Sequence, residues 1–518
     1  MTRSRNTTAE LYKRYLSAFM AWKDGLDQPY PVTVEFAEER LLSITPNDIS
    51  RYFKVKAYGK EDPGPEDHPT ECRSSTLQQI KKALSFFMPN QQARVVQMAV
   101  GNPTKAKEVN QVIASVKRAE VRKLGKPSNA KRDLRMPEYR KTVELLTDTQ
   151  NNVNYFDCAS RLTAMLKLQF HIIARTDDIC NLETADLKSH DKFSNTCLQL
   201  KVSWSKNVME ERQCPDQILI GSEDPDFCII VALACFLESN ITEGLQDKYL
   251  FAEEADDRSP DRLNAKYYRV LKSIWKKPEF QAIARLTRGS IGTHSMRKFP
   301  STWVVENGGT DVEVEIRGRW KGQRNGRTVN RYISPEQLPT DAKVASILCV
   351  GGPVRYKAKA DSRVTSLFMQ EVVVPGIFNR YSDDSNQIAS VLAPALLWAA
   401  HNEDLSHLMS PQVRRRIVDG YALIRGQHPP DYNPVEKVPL HVFRVENQVQ
   451  IEELVVTEDG NHHHQLPAGV GAAMNNESMR TLQVQLHRIQ QELAQARQAN
   501  EVSIMCILLF MMFVVFLY

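Results

Sequence analysis

The chain has no Cys-x-x-Cys pair, no clustered acidic motif and little net charge, and each shortage removes a class of function. Its nine cysteines are scattered, at positions 72, 158, 180, 197, 214, 228, 235, 349 and 506. Scattered cysteines make no zinc framework, and an odd count fits reduced, intracellular thiols. The opening Met-Thr-Arg-Ser-Arg-Asn-Thr-Thr starts no apolar run, so no secretory signal is expected. The net charge of +5 over 518 residues is too small for whole-chain charge to argue for nucleic acid. His462-His463-His464 stands in a polar stretch and reads as linker composition, so no metal site is expected.

What is present is local. Residues 101–141 hold 12 Lys/Arg against 4 Asp/Glu, and residues 317–331 hold six Lys/Arg and no acid. Basic stripes of this kind suit a phosphate backbone. The length predicts two or three domains. Residues 1–140 read as a helical domain: Leu11, Tyr15, Ala18, Phe19 and Trp22 recur at helical spacing. Thr45 before Pro46 is a good N-cap, Ser74-Ser75-Thr76 reads as another, and Lys105 to Lys126 reads as a basic helix with Val109, Val112, Ile113 and Val116 on its apolar side.

Residues 141–345 are mixed. A long apolar helix is expected over Tyr155 to Ile173, a shorter one over Asp177 to Leu187, and buried ones over Phe227 to Phe236 and Met296 to Val305. Cys197 to Trp204 alternates as a strand, with Gln217 to Ile220 as its partner. Helices around a small antiparallel sheet give an α+β domain. Residues 346–457 read as a third region of unknown role, with an apolar helix over Ile388 to Ala400 and a cap at Ser410. Residues 458–475 form a linker. In 476–501, Met479, Leu482, Leu486, Ile489, Leu493 and Ala496 follow the seam spacing of a coiled coil. In the apolar tail, 502–518, the run 504–518 would span roughly 22 Å as a helix, short of a bilayer core of about 30 Å. It suits a short membrane anchor, a buried oligomer contact or an incidental end to the reading frame.

Five short stretches can carry chemistry. Arg175-Thr-Asp-Asp178-Ile179-Cys-Asn-Leu182 follows the apolar helix, with Asp178 placed to hold the arginine's guanidinium. Lys206 stands at the tip of the strand that ends Trp204-Ser205-Lys206-Asn207, and Lys201 lies within that strand. Thr293-His294-Ser-Met-Arg297 sets an imidazole and a guanidinium one helical turn apart, able to grip a phosphate and manage a proton beside it. Arg317-Gly318-Arg319-Trp320 and Asn330-Arg331-Tyr332 complete the set.

In this order, Arg175, Lys206, His294-x-x-Arg297, Trp320 and Tyr332 resemble the tyrosine recombinases. Two features depart from that family. Arg319 rather than Gly precedes Trp320, and the interval from Trp320 to Tyr332 is longer than usual. A closer resemblance, over roughly residues 45–420, is to the recombinases of Crypton elements. It is carried by Gly101-Asn102-Pro103-Thr104-Lys105 through Lys126-Pro127-Ser128, by Trp204-Ser205-Lys206-Asn207, and by Leu348-Cys349-Val350-Gly351-Gly352-Pro353.

The resemblance implies a helical core-binding domain and a mixed α/β catalytic domain that clamp double-stranded DNA. Arg175 and Arg297 would hold the scissile phosphate, Tyr332 would attack it, and His294 would act as base. Lys206 (or Lys201) would act as acid and Trp320 as a further donor and buttress. No cofactor or metal is implied. Lys105, Lys107, Lys117, Arg118, Arg122, Lys123, Arg324 and Arg327 would contact DNA. The family implies a tetramer on two duplexes, and a recombinase working on chromatin implies the nucleus, with membrane attachment through 504–518 as the competing location. A type IB topoisomerase, a non-catalytic DNA-binding or scaffold protein that keeps the fold, and a membrane-tethered interaction protein are the alternative readings.

Overall fold

A computed structural model describes residues 3–92, 101–147, 157–205, 214–242, 248–252, 258–320, 338–381, 387–445 and 448–454. Lys206, Arg324, Arg327, Tyr332, the linker, the coiled-coil segment and the apolar tail lie outside these residues. The described residues fall into two compact units, one up to Arg132 with Arg288–Ser290, the other Asp133–Thr287 with the chain from Ile291 onward.

The first unit is helical: α1 (Arg3–Lys23), α2 (Glu38–Leu42), α3 (Pro46–Tyr58), α4 (Ser74–Phe87) and α5 (Lys107–Val121). Phe19, Met20, Ile49, Phe53, Leu77, Leu84, Val109 and Val116 make its core. Thr45 caps α3 as its sequence predicts, its side chain accepting from the Asp48 N–H at 3.1 Å. The expected serine cap on α4 is not formed. Instead the Glu120 carboxylate of α5 accepts from the Ser74 N–H and hydroxyl and pairs with Arg73 at 2.8 Å. A full negative charge at a helix N-terminus serves its free N–H groups better than a neutral hydroxyl. The apolar side of α5 faces the core, and Lys107, Lys117 and Arg118 lie on its exposed face.

The second unit is mixed α+β with small antiparallel sheets. Its elements begin with α6 (Met136–Thr147), α7 (Thr163–His171), α8 (Thr176–Cys180), β1 (Leu187–Ser189), β2 (Leu198–Lys201), β3 (Asp216–Leu219) and β4 (Gly221–Ser222). They continue with α9 (Ile229–Thr242), α10 (Ser259–Ile274), α11 (Pro278–Ala284), α12 (Thr293–Glu306), α13 (Asp311–Arg317), α14 (Leu338–Leu348) and β5 (Pro353–Ala358). They end with α15 (Ser366–Phe368), α16 (Pro375–Arg380), α17 (Ile388–Ala400), α18 (Pro411–Ile424), β6 (Val435–Val445) and β7 (Gln448–Glu453).

Three differences from expectation matter. The helix predicted over Asp177 to Leu187 is only α8. The chain then enters β1, which pairs with β2 with Leu187 opposite Leu200. The predicted strand over Cys197 to Trp204 pairs only from Leu198 to Lys201, opposite β3, so Lys201 ends the strand rather than lying inside it. Third, residues 346–454 do not stand apart. β4 pairs with β5 in the sheet order β4-β5-β6-β7, and α17 packs on α9. A Cβ at Gly221 would lie 2.7 Å from the Val354 carbonyl, so only glycine permits this approach. Glu238, fully buried on α9, accepts from the Ile377 N–H at 2.9 Å and pairs with Arg416 at 2.6 Å, joining α16 and α18 to the same core.

Under the site, Tyr139, Phe170, Phe227 and Phe299 form one aromatic cluster, with Tyr139 stacked on Phe227 at 4.5 Å. α7 packs against α9 and α12, which fixes the helix that leads to Arg175 against the helix that carries His294 and Arg297.

Candidate active site

The path to Arg175 begins where α7 ends. His171 donates through Nε2 to the Phe227 carbonyl at 2.8 Å, and burial pushes its pKa down to about 3, so the ring is neutral. Ile173 then takes a left-handed conformation, φ 48°. For a β-branched residue this is strained by roughly 1–2 kcal/mol; full burial of its side chain offsets that cost. The Ala174 N–H bonds back to the Gln169 carbonyl at 3.1 Å, and the chain turns into α8 with Arg175 as its N-cap. Arg175 Nη1 is buried with no hydrogen-bond partner among the described residues.

Asp178 does not hold the Arg175 guanidinium, as its spacing led us to expect. Its Oδ2 accepts from the backbone N–H of Arg175 at 3.0 Å, which caps α8. The same oxygen faces the buried guanidinium of Arg319 at 3.4 Å. A carboxylate three residues into a helix reaches the N-cap backbone more readily than it reaches the end of a long side chain.

α12 begins at Gly292, whose N–H donates to Ser295 Oγ at 3.0 Å. That closes the first turn and leaves His294 exposed, while Arg297, one turn on, is only 5% exposed. Pro300 stands inside α12 without ending it. Arg297 donates through Nη2 to the Gly318 carbonyl, and its guanidinium lies 4.2 Å over the Trp320 ring. Its Nε and Nη1 are buried without partners among the described residues. Burial first, then the positive charges of Arg175 and Arg319, push its pKa down to about 9, against the pull of Asp178. An anion between Arg175 and Arg297 would favour the charged form and offset these effects.

Trp320 therefore lies against the Arg297 guanidinium through its ring. Arg317, in the same stretch, is structural. It is fully buried and donates to the His171 carbonyl at 3.0 Å, to Asp341 at 2.5 Å and to the Ile218 carbonyl at 2.8 Å.

Arg175, His294 and Arg297 line one cleft of about 380 Å³ together with Asp177, Asn264 and Tyr268. The last two come from α10 and had not been singled out in the sequence. Arg319 is marked in the sequence only as the residue that stands where Gly usually precedes Trp320. Asn264 donates to Asp177. Lys201 stands at the end of β2 opposite Asp216. Among the described residues, no group of three His, Cys, Asp or Glu side chains stands together as a metal set, and no helix is long and apolar enough to cross a membrane. In the first unit Lys105, Lys107, Lys117, Arg118, Arg122 and Lys123 are all exposed.

No protein-family model and no curated protein matches the chain. Among solved structures, the chain is similar to the XerA recombinase, with 16% identity over 60% of this chain and 90% of that one, at a TM-score of 0.26. It is also similar to the XerH site-specific recombinase bound to its difH substrate in a pre-cleavage complex, with 13% identity over 59% and 95%, TM-score 0.27. A third is the Flpe–Holliday junction complex, with 13% identity over 80% and 96%, TM-score 0.30. Overlaps this low carry no assignment.

Proposed function

We propose that the chain breaks and rejoins DNA strands through a 3′-phosphotyrosyl intermediate, as a recombinase of Crypton type. One observation carries the reading. The half-buried Arg175 and the buried Arg297 line a cleft shared with His294, and the buried nitrogens Arg175 Nη1 and Arg297 Nε and Nη1 have no acceptor among the described residues. Buried guanidinium donors are costly unless an anion completes them, and a phosphodiester offers two non-bridging oxygens that can accept from them.

In this reaction Arg175 and Arg297 hold those oxygens and stabilise the charge that gathers on them as phosphorus becomes five-coordinate. The Tyr332 oxygen attacks phosphorus and its proton passes to His294. The bond to the 5′ oxygen breaks, and that oxygen takes a proton from Lys206 and leaves as a hydroxyl. Lys201, at the end of β2, is the second candidate for the acid. Rejoining is the same sequence reversed, so no external energy source is needed. Trp320 supports Arg297 throughout. The exposed cations of α5 supply phosphate contacts, which set register without reading sequence. Two duplexes and four protomers are needed for strand exchange, with the segment 476–501 aiding assembly. The nucleus is the proposed location, against membrane attachment through 504–518.

The test is a suicide substrate: purified full chain mixed with nicked element-end duplex. A covalent protein–DNA adduct that survives denaturation and is lost in Tyr332→Phe is the expected result. An adduct that persists in Tyr332→Phe moves the nucleophile elsewhere. DNA binding with no adduct in the unaltered protein leaves a DNA-binding protein that keeps the site without the chemistry.

A further inference from the structure

We infer that Arg319 is a positioning residue for the phosphate grip, joining the segment that presents Arg175 to the turn that supports Arg297. The inference rests on the reading of the cleft as a phosphodiester site.

Four observations carry it. Arg319 has φ 54°, a left-handed conformation that glycine would adopt without strain and arginine does not. Its side chain is 1% exposed and that of Asp178 is fully buried. Its contacts bracket Arg175: Nη1 reaches the Ile172 carbonyl at 3.4 Å, three residues before, and Nη2 reaches Asp178 at 3.4 Å, three residues after. Its own neighbours bracket Arg297, since the Gly318 carbonyl accepts from that guanidinium and the Trp320 ring lies beneath it. One side chain thus ties the two halves of the grip together.

Arg317 shows what a purely structural arginine looks like two residues away. All three of its donor nitrogens are engaged, and it ends a regular helix. Arg319 differs on each point: its bonds are 3.1 to 3.4 Å long, its Nε has no partner, and its backbone is strained. It also adds its positive charge to that of Arg175 beside Arg297. The surplus positive charge weakens Arg297's hold on its proton and favours an incoming anion. Strain of this kind persists only where surrounding structure over-determines it.

The experiment uses the full chain with Arg319→Gly, which relaxes the backbone and removes the guanidinium, and Arg319→Lys, which keeps the charge but loses the planar fork. Two readouts are taken well below the melting temperature: protection of the fold by inorganic phosphate, and the rate of adduct formation on nicked duplex. For Arg319→Gly we expect phosphate protection weakened about tenfold and the maximal adduct rate reduced about a hundredfold, as for a reacting group misplaced by 1 Å. Half-saturation by DNA should not change, and Arg319→Lys should recover part of the rate. A variant that melts lower yet is protected and cleaves like the unaltered protein would make Arg319 a structural pin only, and overturn the inference. If phosphate protects the unaltered protein and not Arg319→Gly while neither forms adduct, strand cleavage fails and the positioning role at an anion site stands. Should Arg319→Gly not fold, Arg319→Lys is judged on the same two readouts, and equality with the unaltered protein on both overturns the inference.

Discussion

Gly318→Ala is the sharpest test of how the site is built, because the backbone at that position tolerates any residue. Gly318 has φ −80° and ψ −1°, an ordinary right-handed conformation. Alanine is the better helix former, so backbone effects alone would leave the variant neutral or slightly stabilised. A Cβ there would meet Trp320 ring carbons at 2.3, 2.4 and 3.0 Å, where ordinary contact begins at 3.4 Å. The ring has to withdraw by about 1 Å, and Arg297 rests on that ring. Overpacking of this kind costs about 1–3 kcal/mol, and losing a desolvated cation–π contact costs up to about 2 kcal/mol. Adduct formation should fall by about a hundredfold for a misplaced phosphate ligand, and the melting temperature should drop by several degrees. The decisive control is a double-mutant cycle. In a Trp320→Ala background the clash is gone, so adding Gly318→Ala should cost almost nothing more. Equal costs of Gly318→Ala in both backgrounds would refute the claim that glycine is there to admit the ring.

Lys206→Ala should slow cleavage strongly, and a 5′-thiol leaving group should rescue it; rescue of Lys201→Ala instead would assign the acid to the end of β2. Lys117→Ala and Arg118→Ala should weaken DNA binding about equally across sequences and each lower the salt slope by about 0.9, measured by titration at several salt concentrations. Glu120→Gln should destabilise the first unit by about 1–3 kcal/mol in chemical denaturation, since it weakens the bonds to Ser74 and Arg73. His171 has its folded pKa near 3 against an ordinary 6.5, so the unfolded chain takes up its proton first. Its contribution is complete above about 6.5 and declines by up to about 1.4 kcal/mol per pH unit as the pH falls towards 3. His171→Gln should flatten that part of the curve, and an unchanged slope would contradict neutral burial.

Local chemistry was legible in the sequence wherever neighbours along the chain decide it. The caps at Thr45 and Ser410 and the helix over Ile388–Ala400 depend on residues within one or two turns, and they form as read. Partners far apart along the chain were not legible. The Ser74 cap went to Glu120 on another helix, because a carboxylate outcompetes a local hydroxyl once tertiary packing brings it close. Residues 346–454 join the second unit through partners distant in sequence: α17 packs on α9, and β5 pairs with Gly221 and Ser222, a strand too short to signal itself.

By itself the sequence determined which groups were available: His294 and Arg297 are held one turn apart by helix geometry, and Arg175 by the break that follows an apolar helix. Only the tertiary structure decided how they are used. It turned Asp178 from the Arg175 guanidinium to Arg319, set Trp320 beneath Arg297, and left guanidinium nitrogens at one cleft buried without a partner among the described residues. The physical reason is that a charge buried in a core takes its meaning from whatever lies within a few ångströms, and such neighbours can be as far apart in sequence as Arg319 and Asp178, 141 residues.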